Sequence, residues 1–134
     1  MKHHVGRLID HVHLRVKDLE RAKRFYRAVL ESLGHADAIR ETADYFNADE
    51  LWIDAADDYV SRVHLAFQAR DREMVQAFYR AALAAGGRDH GAPGERPYHP
   101  GYYGAFVLDP DGNNIEAVYH GPAKRSADAI VITA

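Results

Sequence analysis

The sequence predicts an α+β protein made of two tandem modules, each with the order strand, helix and three strands. Three observations support this fold class: an internal repeat, alternating apolar residues at the start of each copy, and a helical apolar stripe after each alternating run. The chain has 134 residues, a length that suits one domain holding two small modules. We expect a single domain over 1–134, with module 1 over about residues 8–60, module 2 over about 61–120, and a tail over 121–134.

The repeat becomes visible when the chain is shifted by 53 residues against itself. Nine residues are then identical in the 24 positions from His11 to Gly34, without a gap. His11 falls on His64, and the run Phe25–Ala28 falls on Phe78–Ala81. Self-similarity at a fixed period is the signature of repeated structural units. The chain therefore contains a duplication.

Each copy begins with a strand that has one apolar face. In the first copy the apolar residues Val12, Leu14 and Val16 alternate with polar residues. This period of two is typical of a half-buried strand. The second copy repeats the pattern from Val63 to Ala69. We expect His11 and His64 to lie on the faces turned away from the helices.

A helix is predicted after each of these strands. Apolar residues recur from Leu19 to Leu33 at the spacing of one helical stripe, and again after Asp71. Asp18 and Asp71 stand where N-caps are expected, and Gly34 stands where a helix ends. The two helices are thus expected to cover equivalent faces of the two modules.

Short strands complete each module. We predict them near 38–40, 44–47 and 51–55 in module 1, and near 88–90, 102–108 and 113–119 in module 2. Asp109–Gly112 matches a type I turn, which predicts a hairpin between the last two strands. Residues 91–101 form a Gly/Pro-rich loop, of a length often used for binding. The tail ends in an apolar run that either docks on its own fold or caps a partner chain.

Composition excludes several classes of protein. The net charge is −3 and no Lys/Arg cluster is present, which argues against nucleic acid or a membrane as a partner. The absence of cysteine excludes disulfides and thiolate ligands. No apolar run is long enough for a membrane span, and the N-terminus does not look like a signal peptide, so we expect a cytoplasmic protein. Nine histidines favour metal or proton chemistry.

Four residues stand at matched places in the two copies. His11 and His64 correspond under the shift, and Asp54 and Glu116 correspond when residues 53–55 are aligned with 115–117. Two imidazoles with one or two carboxylates suit Zn²⁺, Ni²⁺, Fe²⁺ or Mn²⁺ with open positions. A histidine on a strand can instead be simply hydrogen-bonded, and both interpretations remain open. His13 shares the face of His11 and is expected to line the same cavity.

Two motifs resemble one known family. Residues 9–19 with Phe25-Tyr26, and the closing run 109–116, are similar to the glyoxalase / bleomycin-resistance / extradiol-dioxygenase superfamily, also called vicinal oxygen chelate proteins. The resemblance covers about residues 8–120. It implies two βαβββ modules with mixed sheets, paired into an open barrel around a metal, with the helices outside.

The resemblance also implies a set of site residues. His11, His64 and Glu116 fall on the metal ligands, with Glu116 as the catalytic base. Asp54 falls near a fourth ligand, but it is one methylene shorter than the usual Glu, so a three-ligand site is favoured. We expect His13, His99 and Tyr103 to line the substrate pocket.

For function, the resemblance implies a metal-dependent lyase or isomerase acting on a small substrate with vicinal oxygens. The alternatives are a metal-free binding protein of the bleomycin-resistance type and a dioxygenase. Phe106 stands at a Tyr position of the dioxygenase pattern, which counts against ring cleavage. A homodimer is expected, with the modules pairing either within one chain or between two.

Overall fold

The fold is described from a computed structural model that covers residues 2–133. Two α-helices and ten strands are found in that part of the chain. A short 3₁₀ turn over Ala36–Ala38 follows the first helix. In chain order the elements are β1 (Lys2–Val5), β2 (Val12–Val16), α1 (Leu19–Ser32), β3 (Ile39–Glu41), β4 (Tyr45–Ala48), β5 (Leu51–Ala55), β6 (His64–Gln68), α2 (Arg72–Ala84), β7 (Arg88–Glu95), β8 (Tyr103–Leu108), β9 (Asn114–Tyr119) and β10 (Ile130–Thr133).

The two modules form equivalent four-stranded sheets. The strand order is β2-β5-β4-β3 in module 1 and β6-β9-β8-β7 in module 2. In each sheet the first strand pairs parallel with the last strand of its module, and the remaining pairs are antiparallel. The predicted α+β fold of two βαβββ modules with mixed sheets is therefore confirmed.

Both helices begin at the predicted caps. The Asp18 carboxylate accepts a hydrogen bond from the Arg21 backbone N–H, and Asp71 accepts one from Met74. Such a cap satisfies a backbone donor that has no partner inside the helix. Gly34 follows α1 with φ +84°, in the left-handed region that favours glycine.

One continuous apolar core lies between the helices and the inner faces of the sheets. It joins residues of both modules, with fully buried side chains such as Phe25, Phe46 and Phe78. Burying apolar surface is the main favourable contribution to folding. The outer face of each sheet is left free of helix and can carry polar groups.

The modules contact each other through α1 and α2 rather than through shared strand pairing in the described chain. The Tyr26 hydroxyl on α1 donates to the buried Asp109 carboxylate in the β8–β9 turn of module 2. The Asn113 side chain also donates to Asp109, and its own oxygen accepts from the Val63 backbone N–H. The predicted turn thus ties helix α1 to the start of β6.

The loop predicted over residues 91–101 is shorter in the structure. Strand β7 continues to Glu95, with register shifts between Asp89 and Gly91 and between Gly91 and Gly94. Strand β7 lies at the edge of its sheet, where a proline is tolerated because a missing N–H breaks no central ladder. The Gly/Pro composition therefore marks an irregular edge strand as well as a loop.

The tail pairs with the N-terminus of the same chain. Strands β1 and β10 form an antiparallel two-stranded sheet, with His4 opposite Val131. Of the two outcomes expected for the tail, the structure places it on its own chain. The sequence analysis predicts no strand at Lys2–Val5, because the partner strand lies at the other end of the chain and leaves no local signal.

Candidate functional site

The second module brings two predicted ligands together on its open face, which is the face of the sheet that no helix covers. His64 begins β6, and Glu116 lies on the neighbouring strand β9. The Nε2 atom of His64 is 2.8 Å from the Oε1 atom of Glu116. Both residues leave the sheet on the side opposite α2, because residues on the other side, such as Leu65 and Ile115, contact the core.

Glu116 is a buried carboxylate with few partners. Its exposed fraction is 2%, whereas the His64 side chain is 53% exposed. The second oxygen, Oε2, accepts a hydrogen bond from the Tyr102 hydroxyl. Among the described ion pairs, Glu116 is matched by His64 and by neither a lysine nor an arginine. A buried carboxylate needs a compensating cation or hydrogen bonds, and among the described contacts Glu116 has an imidazole and a tyrosine hydroxyl.

A further oxygen at this face has no partner. Asn114 lies opposite His64 in the strand register and two residues before Glu116, so the alternation of β9 gives it the same face. Its Oδ1 atom is buried and accepts no hydrogen bond within residues 2–133. An imidazole nitrogen, a carboxylate and an unpaired amide oxygen are all metal-ligating groups. The chemistry of these donors is of the kind that a divalent cation accepts.

The first module carries a different polar cluster on its open face. Asp54 Oδ1 lies 2.8 Å from His13 Nε2 and 3.0 Å from Arg15 Nε, and its Oδ2 lies 3.4 Å from Trp52 Nε1. Partial burial opposes ionisation of Asp54. The hydrogen bonds from His13 and Trp52 and the charge of Arg15 outweigh it, and they lower the pKa of this carboxyl. Both Asp54 oxygens therefore already face donors.

Strand register shows that Asp54 and Glu116 are not structural equivalents. Glu116 lies opposite Ala66, whose counterpart under the 53-residue shift is His13. The residue opposite His13 is Trp52, and Asp54 lies two positions further on, opposite Arg15. The alignment of residues 53–55 with 115–117 was therefore wrong by two residues. A slip of two keeps each side chain on the same face, so the alternating pattern does not reveal it.

His11 makes no described contact with either cluster. It directly precedes β2, its side chain is 67% exposed, and its Nδ1 atom is 2.7 Å from the Asp10 carboxylate. Among the side chains that the structure describes, no group of three or more His, Cys, Asp or Glu is close enough to hold one ion. The single chain thus brings His64 and Glu116 together but does not add His11 to them.

The predicted pocket residues lie in three different places. His13 belongs to the Asp54 cluster. His99 stacks on His120, and its ring contacts Tyr102 edge to face, so it lies beside the Glu116 pair. Tyr103 is buried on the helix side of β8, where its hydroxyl accepts a hydrogen bond from Gln76 of α2. Strand alternation turns Tyr103 away from the open face.

Sequence reasoning missed Tyr102, the neighbour that reaches Glu116. Burial and then the Glu116 carboxylate raise the pKa of the Tyr102 hydroxyl well above its usual range, which keeps it a donor at neutral pH. Phe106 lies on the open face with its ring centroid 5.8 Å from that of His64. The apolar ring of Phe106 therefore lies next to His64, at the position where the dioxygenase pattern has a tyrosine hydroxyl.

The fold and this face together define a protein of the vicinal-oxygen-chelate class: paired βαβββ modules with an imidazole–carboxylate pair on an open sheet. A family model described as Glyoxalase/Bleomycin resistance protein/Dioxygenase superfamily matches residues 8–117. The chain belongs to this superfamily. A search of curated proteins gave no match. Neither helix is long and apolar enough to cross a membrane, as judged over the described residues.

Solved structures agree with this assignment. A glyoxalase/bleomycin resistance protein from Albidiferax ferrireducens is 31% identical, with a TM-score of 0.70, and the match covers 84% of this chain and 98% of that one. A glyoxalase-related enzyme from Fulvimarina pelagi is 23% identical, with a TM-score of 0.69 and coverages of 97% and 99%. A lactoylglutathione lyase from Agrobacterium tumefaciens is 21% identical, with a TM-score of 0.60 and coverages of 85% and 94%. The last two support the fold alone.

Proposed function

We propose that this protein is a metal-dependent lyase or isomerase of the glyoxalase type, acting on a small substrate with vicinal oxygens. The observation that carries the proposal is the buried Glu116 carboxylate, which contacts His64 and has no lysine or arginine partner among the described ion pairs. A divalent cation at this face would offset the carboxylate charge that burial leaves uncompensated.

The residues of this face divide into two roles. His64 and Glu116 would hold the cation, with Asn114 Oδ1 as a further oxygen beside them. When bound, the cation would supply Lewis-acid stabilisation of negative charge that develops on the substrate oxygens. Because the Tyr102 hydroxyl occupies Oε2, Oε1 is the atom of Glu116 that would hold a proton whenever it is not bound to the cation. The buried carboxylate would thus serve as the base that moves a proton between substrate atoms.

Asp54 is not needed in this ligand set. Its two oxygens face His13, Arg15 and Trp52, and removing them would break an existing network. A site of two histidines and one glutamate therefore fits the chain better than a four-ligand site. Such a set leaves coordination positions open for a chelating substrate.

We propose that a homodimer completes the site, with His11 supplied by the second chain. Three features support this arrangement: His11 is exposed, its Nδ1 is held by Asp10, and the nearby apolar residues Leu8 and Ile9 are exposed. Leu8 is 90% exposed, an unusual surface for an isolated chain. A ligating histidine commonly donates its second ring N–H to a carboxylate.

A binding protein is the second candidate, supported by the aromatic residues on the open face of module 1. Trp52 and Tyr45 stack with ring centroids 4.4 Å apart and an interplanar angle of 17°. Trp52 occupies the register position that corresponds to Glu116. Aromatic side chains on an open sheet face can bind a planar ligand without any metal.

Metal content separates the two candidates. Protein purified without chelator is expected to contain Zn, Ni, Fe or Mn, or to take up one of these ions in calorimetric titration. The Glu116→Gln variant should lose this uptake, since a neutral amide neither compensates nor ligates the cation as a carboxylate does. The matched control is Asp54→Asn, which changes the other open-face carboxylate.

Two results would reject the enzyme proposal. Wild-type protein that binds none of the four ions would favour the binding protein, and so would Glu116→Gln protein that binds them normally. Oxygen consumption by Fe²⁺-loaded protein with catechols would favour the dioxygenase instead. Sedimentation that shows only a 15.1 kDa species at micromolar concentration would reject the shared dimer site.

A further inference from the structure

We propose that Tyr102 is the positioning residue that fixes which oxygen of Glu116 is available for ligation. This inference rests on the proposed metal site and assigns a role that the sequence motifs do not contain. The two carboxylate oxygens have different partners: His64 approaches Oε1, and the Tyr102 hydroxyl donates to Oε2. Glu116 is therefore held in one orientation from both sides.

The backbone leaves room for this contact at Gly104. A Cβ atom at this position would lie 3.1 Å from Glu116 Oε2 and 3.3 Å from Cε1 of Tyr102. Both distances are tighter than ordinary carbon contacts, so a side chain would have to displace one of the two groups. Gly104 and Glu116 lie on the adjacent strands β8 and β9. The glycine thus opens the space that the hydroxyl–carboxylate contact fills.

Three aromatic side chains hold the Tyr102 ring. Tyr98, His99 and His120 contact it edge to face, with centroid distances of 4.9, 5.4 and 5.1 Å. Aromatic pairs favour this edge-to-face arrangement, because the edge of one ring is positive and the face of the other is negative. The ring is therefore supported on several sides before it reaches Glu116.

Hydrogen bonds fix the two histidines of this support. The Nδ1 atom of His99 lies 2.8 Å from the Pro100 carbonyl oxygen, which can only accept, so Nδ1 donates. In a neutral His99 the Nε2 atom then accepts from Nδ1 of His120, 2.8 Å away. Gly101, with φ +90°, turns the chain just before Tyr102 at a point where a Cβ would meet the His120 carbonyl at 3.1 Å.

The consequence concerns how Glu116 can bind an ion. With Oε2 occupied by Tyr102, the carboxylate would offer Oε1 alone to an ion. Without the hydroxyl, the carboxylate is free to rotate and to bind through both oxygens. Loss of an outer partner of a ligand typically weakens metal binding by roughly 10- to 100-fold. Tyr102 touches Glu116 and not the reacting atoms, so its role is to position.

The test compares Zn²⁺ affinity and the Co²⁺ absorption spectrum in four proteins. Tyr102→Phe should bind Zn²⁺ roughly 10- to 100-fold more weakly than wild type and give a changed Co²⁺ spectrum, because the carboxylate changes its mode of ligation. Gly104→Ala disturbs the same contact and should shift both readouts in the same direction. It serves in place of Tyr102→Phe if that variant does not fold. The matched control, Tyr98→Phe, removes a hydroxyl from an exposed neighbour and should match wild type.

Each outcome decides between the inference and the function on which it rests. Wild-type affinity and an unchanged Co²⁺ spectrum in Tyr102→Phe, while wild type binds metal, would overturn the positioning role and leave the proposed function standing. A wild-type protein that binds neither Zn²⁺ nor Co²⁺ would overturn both. A loss of equal size in Tyr98→Phe would show that removal of any nearby hydroxyl has this effect, and would overturn the specific role of the Tyr102 hydroxyl.

Discussion

The open faces of the two modules differ far more than their frameworks do. Both modules have an aspartate-capped helix, the same strand order and the same parallel pair of first and last strands. Yet the position that holds buried Glu116 in module 2 holds Trp52 in module 1. After the duplication, the framework was kept and the chemistry diverged. The shared fold therefore determines the positions of the side chains, and the residue types at those positions determine the chemistry of each face.

Electrostatics sharpens this contrast. Asp54 in module 1 is partly exposed, and His13, Arg15 and Trp52 surround it. Glu116 in module 2 is buried, with a histidine and a tyrosine as its partners. The first carboxylate already has an arginine beside it, and the second does not. A cation therefore has more to contribute in module 2 than in module 1.

The largest expected effect tests this contrast directly with one histidine from each module. His64→Ala should weaken binding of Zn²⁺ or Ni²⁺ by more than about 100-fold, because it removes a ligand rather than a supporting group. In metal-free protein, folding stability should fall by about 1–3 kcal/mol, because the buried Glu116 carboxylate loses one of its partners. Calorimetric titration measures the first effect and thermal unfolding the second.

His13→Ala is the matched variant in module 1. It removes a partner of Asp54 and should leave metal affinity within error of wild type. Equal losses in the two variants would mean that the two modules contribute equally to metal binding, and would contradict a site confined to module 2. A loss in His13→Ala alone would place the site in module 1.

A smaller effect is expected on stability from a pair of tyrosines related by the repeat. Tyr26→Phe removes the hydroxyl that donates to buried Asp109 and should cost about 1–3 kcal/mol, the usual range for a buried polar group left without its partner. Tyr79, its counterpart, donates to the exposed Asp89 carboxylate. Tyr79→Phe should therefore cost less than Tyr26→Phe. Urea unfolding of both variants and wild type gives the comparison.

The reason for this difference lies in the contact between modules. Asp109 also binds Asn113, which in turn holds the backbone next to His64. Tyr26→Phe thus loosens the link between α1 and the closing turn, whereas Tyr79→Phe acts within module 2. Equal losses of stability in the two variants would contradict the view that the Tyr26 link is special.

The smallest expected effects have opposite signs in two aspartates. The pKa of Asp54 is lowered in the folded protein, so the ionised carboxylate stabilises the fold at every pH above the ordinary value of about 3.9. This stabilisation is lost as the pH falls through the lowered pKa of the folded state. Burial raises the pKa of Asp111, with the nearby Asp109 adding to the shift, so its ionised form costs stability at neutral pH. Asp54→Asn should lower the melting temperature at pH 7, and Asp111→Asn should raise it.

The pH dependence checks both signs. Each difference in melting temperature from wild type should vanish once the aspartate is protonated in both the folded and the unfolded protein. For Asp54 this happens below the lowered pKa of the folded state, and for Asp111 it happens below about pH 4. Melting curves from pH 3 to pH 8 measure this. Shifts of the same sign in the two variants would contradict the assigned electrostatics.

The sequence alone determined the framework of this protein. The 53-residue repeat was readable because the two copies share identical residues, and the caps at Asp18 and Asp71 and the turn at Asp109–Gly112 were readable because each depends on a few neighbouring residues. His64 and Glu116 were also found as candidates, through the repeat and the closing motif, and they meet in the structure. Local periodicity tells which face of a strand a residue occupies, and that was enough to put both on the open face.

Tertiary structure alone decided how the strands are aligned and which neighbours meet across them. The register that pairs Trp52 with His13 and Glu116 with Ala66 depends on how the strands dock, and a slip of two residues leaves the sequence pattern unchanged. The contact of Tyr102 with Glu116 depends on space left by Gly104 on the adjacent strand. The pairing of β1 with β10 joins the two ends of the chain. Each of these is a contact between distant segments, and local propensity carries no information about it.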